Sequence, residues 1–210
     1  MPKLLIATNN PGKVAEFRDL LADCGWDLVT PADIGLALDV DETGETYAEN
    51  AQLKAIAGVE ASGLVTLADD SGLEVEAMGG EPGLRSARFL GPDATFAERF
   101  AEIQRRLDGL PRSQRGARFV AVIAIAEPKG GVRFAEGEVR GLIADEARGD
   151  RGFGYDPIFW LPDRSATMAE LPASEKSIIS HRARAAAGAR VILRELLHDH
   201  REDSPSYSRD

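Results

Sequence analysis

Apolar residues along this chain switch between two spacings, and the switches mark out alternating strands and helices. Lys3–Thr8 carries a nearly continuous run, Leu4, Leu5, Ile6 and Ala7, as expected of a central strand covered on both faces. Val14, Phe17, Leu20, Leu21 and Cys24 follow at helical spacing. Asn9 or Asn10 can cap that helix, Pro11 suits its first position and Gly25 ends it. Asp27–Thr30 reads as a second strand. Thr46 and Glu49 have the spacing of a capping box ahead of an alanine-rich helix. Leu64–Ala68 is a short apolar strand that meets the polar run Asp69, Asp70, Ser71, Gly72, where a turn is expected. Leu73, Val75 and Ala77 then alternate with Glu74 and Glu76 as a separate half-buried strand. Asp93–Leu107 predicts an amphipathic helix with Phe96, Phe100, Ile103 and Leu107 on one face. Arg118–Ala126 and Val132–Val139 flank Pro-Lys-Gly-Gly as a hairpin, and one last helix is expected to run through about Leu197. The polar remainder, 198–210, has no periodicity and is expected to be disordered. The pattern is that of an α/β protein, with residues 1–197 as one large domain or one domain with two lobes.

Charge and composition narrow the function. With 210 residues and a net charge of −10, the chain argues against binding to the phosphate backbone of nucleic acid or to an anionic membrane. A small anionic ligand remains open if a metal ion and a few local cations neutralise it. The single cysteine excludes an internal disulfide and a cysteine-based zinc site, and its place among apolar helix positions assigns it to the core. The first apolar segment is too short for a signal peptide and no run is long enough to span a bilayer, so a cytoplasmic location is expected.

Four separated segments carry candidate chemistry. Thr8, Asn9, Asn10, Pro11, Gly12 and Lys13 join a strand to a helix start. Free backbone N–H groups, the helix dipole and the Lys13 ammonium could there hold phosphate, or the segment could be a plain capped turn. Asp69 and Asp70 follow a strand, where ligands of α/β proteins bind. Successive residues of an extended chain point to opposite faces, so one of the two is expected to address the site. Glu42, in an acidic cluster, either serves a helix dipole or reaches the same metal as Asp70; Lys54 is expected to be solvated and Arg88 to be ion-paired at the surface, each with a phosphate contact as the alternative. In Gly149–Phe159 glycines alternate with aromatics, which suits a planar base or a loop anchored by its rings. His181 and Arg182 sit at a helix start, the wrong end for serving the dipole, and so favour an anionic or carbonyl-bearing ligand.

In this order, T-N-N-P-G-K, A-D-D-S-G, G-F-G-Y-D-P-I-F and E-K-S-I-I-S-H-R resemble the inosine triphosphate pyrophosphatase family, over about Lys3 to Leu197. The resemblance implies a long mixed central sheet flanked by helices, two lobes with the active cleft between them, and a homodimer. It implies Mg²⁺-dependent hydrolysis of deaminated purine nucleoside triphosphates (ITP, dITP, XTP) to the monophosphate and pyrophosphate. Thr8, Asn10 and Lys13 match the phosphate turn, with Asn9 where many members carry Gly. Asp70 matches the catalytic carboxylate and Mg²⁺ ligand, Glu42 a second metal ligand, Asp69 a possible third, and Ser71 a substrate contact. Phe153, Gly154, Tyr155 and Asp156 match the base-holding loop, and Lys176, His181 and Arg182 its far side. A donor from Arg182 or Lys176 to the 6-keto group would then separate hypoxanthine and xanthine from adenine. Pyrimidine triphosphates as substrates, or nucleotide binding without turnover, are the alternative readings.

Overall fold

The computed structural model describes residues 1–202, with side chains described through 198. Seven strands form one mixed sheet: β1 (Lys3–Ile6), β2 (Asp27–Val29), β3 (Val65–Val75), β4 (Gly116–Ala126), β5 (Val132–Ile143), β6 (Phe159–Leu161) and β7 (Ala166–Thr167). Their order across the sheet is β2-β1-β3-β4-β5-β6-β7. The first three run parallel, and every pair from β3 to β7 is antiparallel. Five α-helices accompany them: α1 (Pro11–Leu20), α2 (Tyr47–Ser62), α3 (Phe96–Arg106), α4 (Ala173–Ile179) and α5 (His181–Glu202).

Strand alternation sorts the core onto two faces. Leu4, Ile6 and Leu67 turn toward α1 and α5, where they pack with Phe17, Leu21, Ala185, Ala189 and Leu193. Ala7, Ala68 and Ala124 turn the other way, onto Ala51 and Ala55 of α2, and small residues on both sides let that helix lie close. A separate cluster fills the far end of the sheet, where Leu73, Val75 and Phe119 meet Ile103 and Leu107 of α3 together with Phe159 and Met168. The apolar core is thus three clusters along the long strands, two on opposite faces at one end of the sheet and one at the other. Cys24 is buried in the first of them, as its spacing predicts.

Two sequence expectations change. Asp69–Gly72 is not a turn: β3 runs unbroken for 11 residues, with Asp69, Asp70, Ser71 and Gly72 paired to Ile123, Val122, Ala121 and Val120 of β4. The partner strand is rich in β-branched residues, and cross-strand pairing overrides the turn preference of Asp, Ser and Gly. The last helix starts at His181 as expected; a further short helix, α4, precedes it and ends at Ser180, whose backbone is extended and whose hydroxyl accepts from Ala183 N of α5. That helix also continues to Glu202, because polar residues extend a helix already nucleated by packed turns. The expected disorder of 198–210 thus fails for 198–202, and 203–210 lie outside the described residues.

Candidate active site

β1 stops at Ile6, opposite Leu67, while β3 continues to Val75. The mismatch leaves a cleft beside the second half of β3, with a cavity of about 330 Å³. Thr8, Asn9, Asn10 and Lys13 enter it from the β1–α1 connection, Glu42 and Lys54 from the α2 side, and Phe153, Tyr155, Lys176, His181 and Arg182 from the C-terminal third. The four candidate segments, up to 174 residues apart between Thr8 and Arg182, therefore meet in one place.

At the start of α1, Asn10 is the cap. Its Oδ1 accepts from Gly12 N at 2.9 Å and Lys13 N at 3.2 Å, so the first free amides are already engaged by the protein. Thr8 Oγ1 accepts from Asn10 N, and Asn9 Nδ2 donates to Leu38 O. The cation of this turn is Lys13, whose Nζ lies 2.9 Å from Asp69 Oδ1. Burial lowers its pKa, and the attraction of Asp69 only partly offsets that.

The two neighbouring aspartates diverge, as period-2 geometry requires. Asp69 points to the α1 and α5 face, fully buried, between Lys13 and the guanidinium of Arg182 (3.2 Å). Burial alone would raise its pKa, but Lys13 and Arg182 outweigh it and hold the carboxyl well below the usual range. Asp70 points to α2. Its Oδ1 is 3.2 Å from Lys54 Nζ and its Oδ2 accepts from Asn50 Nδ2 at 3.3 Å. Here burial prevails over the pull of Lys54, and the carboxyl is raised. Glu42 Oε1 lies 2.7 Å from the same Lys54 Nζ, and Glu42 Oε2 is 3.3 Å from Arg88. Lys54 is thus paired within the site instead of solvated.

Across the cleft, Gly152 has φ +75° and a Cβ there would fall 2.1 Å from Asp156 Oδ2, so the position admits only glycine. Asp156 Oδ2 accepts from Phe153 N at 2.9 Å and from Lys176 Nζ at 2.5 Å, which locks the loop. The Phe153 ring rests on Gly12 of α1 and lies under both Lys176 (5.2 Å) and Arg182 (5.5 Å). Tyr155 is buried and donates to Ser86 O at 3.0 Å. Phe96, expected to be buried with Ile103, is 46% exposed at the cleft rim, its ring edge-on to Tyr155. Glu16 accepts from Lys176 and Arg182, each at 2.6 Å, and Arg182 also donates to Ser71 Oγ at 3.0 Å. Lys176 is buried too, but Asp156 and Glu16 raise its pKa despite that. His181 stacks on Phe119 with centroids 4.7 Å apart, and its Nδ1 has no hydrogen-bond partner. Burial, then Arg182, depress its pKa well below 6.5, so the ring is neutral.

Sequence reasoning missed Glu16 and Phe119, and gave Arg88 and Lys54 a place near phosphate only as the lesser reading. Glu16 stands three residues after Lys13 on α1, a spacing that shares a face, and that was the available signal. Among the described residues no group of three His, Cys, Asp or Glu side chains is arranged to hold a metal. Glu42 and Asp70 nevertheless turn one oxygen each to a single ammonium, a place built for positive charge. Two carboxylates there suit Mg²⁺, which takes few protein ligands and completes its shell with water and phosphate. Asp69, engaged by Lys13 and Arg182, does not belong to that pair.

Residues 4–191 match the family model described as the Ham1 family. A protein of Desulforamulus reducens named dITP/XTP pyrophosphatase is 46% identical over 92% of this chain and 96% of its own length. One of the same name from Thermus thermophilus is 46% identical over 97% of this chain and 94% of its own. A solved HAM1 protein from Coxiella burnetii, 39% identical, superposes with a TM-score of 0.84 over 93% of this chain and all of that one. The resemblance read from the four segments is thereby borne out, and so is the long mixed sheet it implied. This chain belongs to the Ham1 family.

Proposed function

We propose that this protein hydrolyses ITP, dITP and XTP to the monophosphate and pyrophosphate, clearing deaminated purines from the nucleotide pool. The observation that carries the reading is the joining, in one cleft, of a carboxylate pair, a phosphate-side lysine and an aromatic-cationic base wall. Relatives sharing nearly half of the sequence bear the name dITP/XTP pyrophosphatase, which supports it.

Asp70 is the residue for proton abstraction. Its carboxyl, raised by burial, is better suited to take a proton than an ordinary aspartate, and Asn50 fixes its orientation. A water deprotonated by Asp70 attacks the α-phosphorus, the bond from that phosphorus to the bridging oxygen breaks, and pyrophosphate leaves toward Lys13. Glu42 and Asp70 would hold Mg²⁺, which when bound offsets phosphate charge and polarises the phosphoryl group. The base lies along Phe153, where stacking contributes on the order of 1–3 kcal/mol and tolerates different bases. Lys176 and Arg182 are already bound to carboxylates, so they shape the base pocket as fixed cations. The neutral His181 also lines the pocket, and a ring N–H can donate to a 6-keto oxygen but not to the amino group of adenine. No helix among the described residues is long and apolar enough to cross a membrane. We place the protein in the cytoplasm, acting as a homodimer on free nucleotides, without nucleic-acid or membrane partners.

The test is pyrophosphate release from ITP, XTP, dITP, ATP and GTP side by side, with and without Mg²⁺. Fast, Mg²⁺-dependent release from the first three and little from the last two is expected. Equal turnover of ATP, or no release while ITP still binds, overturns the reading.

A further inference from the structure

The ammonium of Lys54 occupies the position between the two carboxylates assigned to Mg²⁺. Its Nζ lies 2.7 Å from Glu42 Oε1 and 3.2 Å from Asp70 Oδ1. The other oxygen of each carboxylate is held from behind, that of Glu42 by Arg88 at 3.3 Å and that of Asp70 by Asn50 at 3.3 Å. The two inner oxygens therefore face each other across one cation, with neither free to turn away. The side chain of Lys54 is only 14% exposed, so water does little to screen these pairs. Its stem comes from the second turn of α2, anchored by the Thr46–Glu49 capping box, and its head reaches the open cavity.

We propose that Lys54 is a built-in counterion that Mg²⁺ must displace, so that metal binding and release of this lysine toward the polyphosphate are one event. This deepens the Mg²⁺-dependent reading above and rests on it. Two carboxylates in a half-buried cleft repel each other unless a cation lies between them, and Lys54 supplies that cation in the empty enzyme. A dication binding the same inner oxygens at the shorter Mg–O distance of about 2.1 Å leaves no room for the ammonium. The displaced Nζ, on four flexible methylenes, joins Lys13 on the phosphate side of the cavity. Two consequences follow by linkage. Metal alone binds weakly, because it has to expel a paired cation. A triphosphate, by attracting the freed lysine, strengthens metal binding and is strengthened by it in equal measure.

The experiment is titration of the nucleotide-free protein with Mn²⁺, followed by electron paramagnetic resonance, for wild type, Lys54→Gln and Lys54→Arg. Removing the competing charge should tighten Mn²⁺ binding by about tenfold in Lys54→Gln, within the usual span of site–site coupling, and leave Lys54→Arg near wild type. Equal or weaker Mn²⁺ binding by Lys54→Gln overturns the proposal. If Lys54→Gln does not fold, ¹⁵N spectra of the wild-type lysine ammonium groups take its place. A head group protected from exchange in the empty protein should lose that protection when Mg²⁺ is added, and its persistence at saturating Mg²⁺ overturns the exchange. Wild-type ITP hydrolysis undiminished without any divalent ion would instead overturn the Mg²⁺-dependent reading itself, which separates the two failures.

Discussion

Asp69 and Asp70 are chemically identical neighbours on one strand, yet the fold gives them opposite surroundings. Asp69 faces α1 and α5, where Lys13 and Arg182 close on it and burial is overcome by two cations. Asp70 faces α2, where another carboxylate, Glu42, adds to the effect of burial and one shared lysine does not cancel it. One side chain is held ionised by two cations, and the other, its pKa raised, is the base of the proposed reaction. The difference lies entirely in the pleat of β3, which turns adjacent residues to opposite faces.

The strongest way to break the comparison is to neutralise each member in turn. Asp70→Asn should reduce ITP turnover by about 10³-fold, as expected for loss of a general base, with little change in the melting temperature. A variant that retains wild-type turnover at saturating Mg²⁺ removes Asp70 from the chemistry. Asp69→Asn should show its main effect in stability. It leaves Lys13 and Arg182 buried with one carboxylate fewer, and breaking such a pair costs about 3 kcal/mol, to be read by urea denaturation. If Asp69→Asn were as stable as wild type while losing turnover like Asp70→Asn, the division between anchor and base would fail. A finer test uses His181, which lies among Arg182, Lys176, Lys13 and Asp69. The folded pKa is depressed and the unfolded one is near 6.5, so below that value the unfolded chain binds the extra proton. Stability should hold above pH 6.5 and decline as pH falls from there toward the folded value, by at most about 1.4 kcal/mol per pH unit. His181→Phe should flatten that slope, and urea midpoints between pH 7 and 5 check it.

What could be read from the sequence follows the range of the interaction. Asn10 as helix cap, the Thr46–Glu49 capping box and the hairpin around Gly130 depend on residues a few positions apart, and all appear as expected. The Asp69–Gly72 run was misread because its local preference is for a turn and its partner, β4, lies about fifty residues onward. Lys54 was misread for the same reason: nothing near it in sequence shows that α2 lays it against β3 and the Glu42 segment. Glu16 carries only the faint mark of its spacing from Lys13, since the buried cations that require it are Lys176 and Arg182 at the other end of the chain. The resemblance supplied the residues of the site, but not the pairing among them.

The early end of β1 has a mechanical consequence. Because β3 is pinned to β4 along its whole length, Asp70 rides on the one part of the cleft wall that belongs to a continuous ladder spanning both lobes. The groups that face it stand on connections outside the sheet: Glu42 in the irregular stretch 36–44, and Phe153 in the loop that Asp156 and Lys176 lock. On the function proposed above, any tightening around a nucleotide would bring Glu42 and the Phe153 ring toward a carboxylate fixed on the sheet. The strand is the fixed frame against which everything else in the catalytic cycle is measured.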